Sequence, residues 1–211
     1  GNTYVAVNLS MPANGSTRAL PDDYNLIGEW AGKDEIQNVA VYIVGDGVVS
    51  TGQYSAGDFT ITNDNTTNKL TLTPKKAIKT TPGDKQIYAL INGTQPVINA
   101  LATANADDFA KAYQTAALAL ENSGSAASVS TSASKLIGTP STAGDDVIAM
   151  TNVADSKLTV TAGVTSEQAL DATNPQNRAH VQVQRAVARV MVTTASDSYQ
   201  VKSSTGTVLG T

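Results

Sequence analysis

From Thr3 to Leu9 apolar and polar positions alternate: Val5, Val7 and Leu9 fall on one side of an extended chain, Tyr4, Ala6 and Asn8 on the other. Period two is the signature of a half-buried strand. The pattern stops at Pro12-Ala13-Asn14-Gly15-Ser16-Thr17, a soft segment ending in Arg18. The strongest strand signal is Ile36 to Val44. Val39, Val41 and Ile43 share one face and Ala40, Tyr42 and Val44 the other, so both faces are apolar and a central strand covered on both sides is expected. Gly45-Asp46-Gly47 ends it.

Further on, Phe59-Thr60-Ile61 and Lys69 to Thr73 flank a polar run, Thr62 to Asn68, and predict a hairpin with a long loop. Lys85 to Asn92 is another strand, with Ile87, Ala89 and Ile91 on one face and Asn92-Gly93 as its turn. The period then changes. Phe109, Tyr113, Ala116 and Leu120 follow helical spacing over 106–121, with Asn105 as N-cap and Asp107 and Asp108 at the positive end of the helix dipole. Ser123 to Gly144 is a long Ser/Ala/Thr/Gly-rich surface loop. Order resumes over Val147 to Asn152, and Leu158 and Val160 mark a strand. Thr165 to Asn177 is polar connection, and His180 to Thr194 is a second strong strand. Its apolar parity switches near Gln184-Arg185, which a β-bulge would explain. Tyr199 to Lys202 begins one more.

Composition narrows this to a mainly β chain. At 211 residues it suits one large domain, or one domain and part of a second; 41% hydrophobic residues suffice for a core, so global disorder is not expected. Aromatics are only 5%, and the abundant Val, Thr, Ala and Ser favour sheets. A net charge of −4 lacks the footprint of a general nucleic-acid binder. No run of 18 apolar residues marks a membrane-spanning helix. Cysteine is absent, which removes disulfides, Cys nucleophiles and Cys metal sites together. The opening at Gly1 is read as that of a chain expected to have been trimmed of any signal peptide.

The inventory of reactive groups is thin, and no catalytic, cofactor-binding or metal-binding residue is assigned. His180 is the single histidine and has no Gly-x-Ser-x-Gly turn to serve. Zinc would need three carboxylates beside it, and no such spacing stands out. Asp22-Asp23, Asp107-Asp108 and Asp145-Asp146 sit at turns or a helix start. As a calcium site, the Thr62–Asn68 loop lacks the central Gly and final Glu of an EF-hand. Arg185 and Arg189 share a face, but no Gly-rich loop or helix N-terminus accompanies them as an anion site. Trp30 is expected to be a core anchor beside a turn. Asn-x-Ser/Thr triplets at Asn8, Asn14, Asn65 and Asn92 are expected by chance in so Asn-, Ser- and Thr-rich a chain.

Several stretches, in order, resemble one family. Gly28-Glu29-Trp30-Ala31-Gly32-Lys33-Asp34, Ile36 and Val39 to Val44 are similar to the early segment of the major fimbrillin of short, Mfa-type fimbriae, which build type V pili of Bacteroidetes-type bacteria. Leu72-Thr73-Pro74-Lys75-Lys76-Ala77-Ile78-Lys79, Phe109, Met150-Thr151 and Gln184 to Val192 continue the likeness, which covers most of residues 19–205. The resemblance implies a transthyretin-like Greek-key β-sandwich with one inserted helix, about 106–121. It implies a structural, non-enzymatic pilus subunit, made as an outer-membrane lipoprotein precursor and assembled at the cell surface. An Arg-specific protease would cut after Arg18, before Ala19, and free the strand Tyr4, Val5, Ala6, Val7, Asn8 and Leu9. A strand from a neighbouring subunit would then fill the groove.

This divides the chain into residues 1–18, strand and cleavable tether, and 19–211, the N-terminal sandwich domain. Set against the family's pattern, the chain is expected to correspond to the N-terminal half, with the segment carrying the lipidated cysteine removed. The alternatives are a surface adhesin or glycan-binding tip protein on the same fold, with a host or bacterial surface ligand, and a β-sandwich enzyme with two carboxylates about 5–9.5 Å apart. No cofactor is expected. Burying Val5, Val7 and Leu9 is worth roughly 5–9 kcal/mol before entropy losses. Cutting the tether alone should therefore not release the strand quickly.

Overall fold

The structure is a computed structural model, and it describes residues 1–12, 35–64, 69–122, 141, 147, 149–185, 201–202 and 208–210. Strands dominate, as expected. In chain order they are β1 (Thr3–Pro12), β2 (Val39–Gly45), β3 (Val48–Tyr54), β4 (Phe59–Asp64), β5 (Lys69–Pro74), β6 (Ile78–Thr80), β7 (Gly83–Ile91), β8 (Met150–Asn152), β9 (Ser156–Val160), β10 (Arg178–Arg185), β11 (Val201–Lys202) and β12 (Val208–Gly210). The helices are α1 (Gln95–Ala102), α2 (Phe109–Asn122) and α3 (Ser166–Leu170). Ten strands form one sheet along the path β3-β2-β7-β8-β10-β1-β5-β4, with β6 added to β1 and β9 to β7. The β11–β12 pair is a separate ribbon.

The sheet curls over itself into two layers. Val5, Val7, Leu9 and Met11 of β1 share one buried cluster with Val39, Val41 and Ile43 of β2 and Ile87, Ala89 and Ile91 of β7. Where the curl brings β3 to β6, the Ser50 hydroxyl donates to Thr80 Oγ1 at 2.8 Å. β2 is buried on both faces, as its double apolar pattern predicts. Its second face, Ala40, Tyr42 and Val44, lies with Tyr88 and Leu90 beneath Ile98 and Leu101 of α1 and Phe109 of α2. Phe109 sits 5.2 Å from Tyr42 and 4.8 Å from Tyr88, ring centroid to ring centroid.

Several local expectations change. The helix expected over 106–121 begins as a 3-10 turn, Ala106–Asp108, and becomes α2 at Phe109; Asn105 takes the N-cap position without a side-chain cap bond. Two helices join the one expected. α1 carries Pro at its first turn, and α3 interrupts the supposed polar connection with a Thr165–Gln168 capping box. Gly45-Asp46-Gly47 does more than end β2. Asp46 and Gly47 have φ of 51° and 72°, and they form the two-residue turn of a hairpin into β3. β6 is not marked by the pattern either, because three residues carry too little periodicity. The β4–β5 hairpin is longer than expected and pairs out to Asp64 and Lys69. β10 starts two residues earlier than expected, and its pairing with β8 stays in register to Arg185. The residues past Arg185 that would complete the bulge expected near Gln184-Arg185, Arg189, Trp30, the expected 123–144 loop apart from Ser141, and Arg18 and Ala19 lie outside the described residues.

Candidate functional site: the seat of the first strand

The residues expected to form the exchanged strand, Tyr4 to Leu9, all lie in β1, and β1 is an interior member of the sheet. Ala6 to Ser10 run parallel to Arg178 to Gln182 of β10. On the other side β1 is paired twice, both times antiparallel. Thr3 to Val5 face Thr80 to Ile78 of β6, and Leu9 to Pro12 face Leu72 to Lys69 of β5. A parallel neighbour so far along the chain requires a long crossover, and here most of the domain serves as that crossover.

The inward side chains fit the alternating pattern. Val5 and Leu9 are fully buried, Val7 and Met11 nearly so. Met11 extends the apolar stripe past the end read from sequence. The surprise is the opposite face. Ala6 is also fully buried, in a small cluster with Val164 and Ala169 and flanked by Tyr4, Ala77 and Leu170. Ser10, two pairs further, is buried too.

The head of the strand is held by side chains far away in sequence. Thr3 Oγ1 donates to the Thr161 carbonyl at 2.7 Å and accepts from the Val164 amide at 3.1 Å and from Asn177 Nδ2 at 3.0 Å. Its hydrogen-bonding capacity is thereby filled, which a buried hydroxyl requires. Asn177 Nδ2 also donates to the Tyr4 and Thr161 carbonyls at 3.0 and 2.8 Å, while its Oδ1 accepts from the Thr161 amide at 2.8 Å. The backbone adds Tyr4 N–H to the Val164 carbonyl and Ala6 N–H to the Asn177 carbonyl, both 3.0 Å. Asn177 sits at φ 54°, in the left-handed region that Asn tolerates better than most residues.

Among the described residues Asn152 and Asn92 play the same part. The carboxamide of Asn152 accepts from the Ala89 amide at 2.8 Å and donates to the Ile87 carbonyl at 2.9 Å, bridging β7 between its pairings with β8 and β9. Asn92 accepts from the Gln37 amide at 2.8 Å and donates to the Glu35 carbonyl at 2.9 Å. In each case a side-chain amide replaces a missing strand. A buried, engaged carboxamide at Asn92 is not a glycan acceptor in the folded chain.

At the far end of β1, Ser10 Oγ lies 2.7 Å from His180 Nε2, so the single histidine is tied to the first strand. Desolvation, and then the positive charge of Lys69, hold the imidazole below its ordinary pKa of 6.5. Carboxylates elsewhere serve local structure. Asp58 accepts from the Ser55 amide and pairs with Lys76 at 3.3 Å, and Asp171 accepts from Thr173. Among the described residues no three His, Asp or Glu side chains gather as a metal site, and no helix is long and apolar enough to cross a membrane.

Sequence reasoning placed Thr3 in the strand without an anchoring role, and it missed Ser10, Met11, Val164 and Asn177 as parts of this seat. The Thr165-x-x-Gln168 capping box was a readable signal for α3. Nothing local announced that α3 would cover Ala6.

These features define a β-sandwich whose N-terminal strand is an integral, doubly paired member of the sheet. In sequence the chain is similar to the minor fimbrium subunit Mfa1 of Porphyromonas gingivalis: two curated sequences of that subunit are each 35% identical to it over 125 residues. The match takes in 59% of this chain and 24% of Mfa1, so the chain spans about a quarter of the length of the curated relatives it matches. The resemblance to Mfa-type fimbrillins that the sequence motifs carry is borne out by this match. No family model matches the chain. Two solved structures align with it at low identity. The tip fimbrial protein Mfa3 of P. gingivalis, with a C-terminal truncation, is 12% identical, with 88% of this chain and 48% of that one covered and a TM-score of 0.40. A candidate cell-adhesion protein of Parabacteroides distasonis is 10% identical, with 87% and 41% covered and a TM-score of 0.38. Alignments this loose carry no argument about function.

Proposed function

We propose that this chain is a structural subunit of a surface fimbria and that β1 is a temporary occupant of its sheet. In this reading an Arg-specific protease cuts between Arg18 and Ala19, separating residues 1–18 from the sandwich of residues 19–211. A strand from a neighbouring subunit then replaces β1, and repetition of that step builds the fibre at the outer-membrane surface, where the precursor arrives as a lipoprotein. The observation that carries the reading is the position of β1: N-terminal, yet interior, with partners on both sides and four inward side chains in the core. A strand so placed cannot leave without opening a groove of unpaired backbone and exposed apolar surface. Such a groove is filled by another strand. The likeness to Mfa1, a fimbrium subunit by name, supports the same direction.

Limited digestion of the folded protein with an Arg-specific protease tests this. The expected result is a new N-terminus at Ala19, with residues 1–18 co-eluting with the body until denaturant or a competing strand is added. An Arg18-Ala19 bond that resists cleavage while the fold is intact would overturn the maturation step. The glycan-binding alternative calls for exposed aromatic rings around a cleft. Among the described residues Tyr42, Tyr54, Phe59, Tyr88 and Phe109 are buried, and no observation favours it.

A further inference from the structure

Alternation alone does not fix where an incoming strand stops. Sliding it by one residue turns its apolar side to solvent, but sliding it by two keeps every apolar residue pointing inward. Val5, Val7, Leu9 and Met11 form an evenly spaced stripe, and a two-residue shift would exchange one aliphatic residue for another. Something else must set the register.

We propose that the pocket around Ala6 is that register key: the groove accepts a strand only where an alanine-sized residue meets α3, and so it selects its occupant on both faces. This rests on the strand-replacement reading. Ala6 points away from the main core and is fully enclosed by Val164, Ala169, Tyr4, Ala77 and Leu170. A two-residue shift would bring Tyr4 or Asn8 into its place, and neither side chain fits a methyl-sized space.

Apart from Tyr4, which is on β1 itself, the wall of the pocket belongs to the body of the domain. The Arg178 guanidinium of β10 donates to the Ala169 and Asp171 carbonyls at 3.2 and 2.6 Å, tying down the C-terminal end of α3. Asn174 Nδ2 adds a bond to the Gln168 carbonyl at 2.9 Å, and the Thr165–Gln168 box closes the other end. These contacts do not involve β1; Val164, just before α3, is bonded to Thr3 and Tyr4, but α3 itself is expected to stay in place when β1 leaves. The partner segment is therefore an extended strand from another subunit, apolar at four alternate positions toward the core. On its other face it carries Ala, Gly or Ser where Ala6 now lies. The requirement holds for a strand entering in either direction, because the pocket is fixed in the groove.

The test uses the full chain with a recognition site for an unrelated sequence-specific protease placed in the 13–18 segment, so that β1 can be severed whether or not Arg18 is a natural cut site. The cut protein is refolded from denaturant with excess fluorescent peptide. The peptide carries the sequence of residues 1–12, unchanged or with Ala6→Leu or Asn2→Leu. Asn2 is exposed, so its variant controls for added hydrophobicity. Overpacking predicts at least about a tenfold loss of incorporation for Ala6→Leu. Asn2→Leu should stay within about twofold of the unchanged peptide, as an exposed position allows. Equal incorporation of the Ala6→Leu peptide, or no incorporation of any peptide, would overturn the proposal. Adding the same peptides to cut but folded protein tests replacement itself. Uptake during refolding alone would leave the register key standing and remove strand replacement in the folded state.

Discussion

Thr3 and Asn177, 174 positions apart in the chain, meet through a 3.0 Å hydrogen bond that closes the N-terminal end of the sandwich. Asn177 does two jobs there. Its carboxamide binds Thr3, Tyr4 and Thr161, and its backbone turns through the left-handed region at φ 54°. Asn177→Gly keeps the turn and removes the carboxamide, and Asn177→Ala removes both. Asn177→Gly should cost about 1–3 kcal/mol for buried groups left unsatisfied, and Asn177→Ala a further ~1 kcal/mol of backbone strain. Urea unfolding of both variants measures this. Wild-type stability for Asn177→Gly would show that the carboxamide does not hold β1.

The inward face of β1 should respond very differently from its neighbour's surface. Leu9→Ala removes a fully buried side chain from the main core and should cost about 2–5 kcal/mol. Lys79→Ala, at an exposed position on β6, should stay within about 0.5 kcal/mol of wild type. Equal midpoints in denaturant for the two variants would contradict the core placement of β1.

Stability should also report on His180. Its folded-state pKa lies below the ordinary 6.5, so as pH falls the unfolded chain takes up the proton first. The contribution of His180 is therefore present above pH 6.5 and is lost progressively as pH falls through the lowered folded-state value. His180→Gln, which keeps a hydrogen-bonding group beside Ser10, should flatten the decline between pH 7 and pH 5. Asp58 and Asp171, held below the usual carboxylate range chiefly by backbone hydrogen bonds, act in a separate window below pH 3.8. Parallel stability profiles for wild type and variant between pH 7 and pH 5 would remove His180 from the account.

Under the helical layer, Tyr113 is the hinge pin of α2. Its hydroxyl donates to the Ala89 carbonyl at 2.7 Å and accepts from the Asn152 amide at 2.9 Å. Burial pushes its pKa above the ordinary 10, so it stays a neutral donor throughout the physiological range. Tyr113→Phe should cost about 1–3 kcal/mol by stranding both backbone groups. The loss should be the same at pH 6 and pH 8. Thermal unfolding at the two pH values checks it.

Much of the fold could be read in the chain because its strands carry their own periodicity. Val39 to Val44 announces a strand covered on both faces, and Leu70 and Leu72 alternate as β5 requires. β3 could not be read this way: Val48-Val49-Ser50-Thr51-Gly52-Gln53-Tyr54 lies mostly half-buried and shows no clean alternation. α1 is only eight residues long and buries Ile98 and Leu101, too few positions for a helical period to stand out.

Alternation depends only on neighbours in the chain, and it is enough to make residues 3–9 a strand with Val5, Val7 and Leu9 on its buried side. No local pattern makes that strand interior, sets it parallel to β10, or buries Ala6 as deeply as Val5. Those properties come from Thr161, Val164 and Asn177, which reach Thr3 from 158, 161 and 174 positions away, and from Ala169 against Ala6. A sequence states what a side chain would prefer to touch. The path of the chain between two distant residues decides what it does touch.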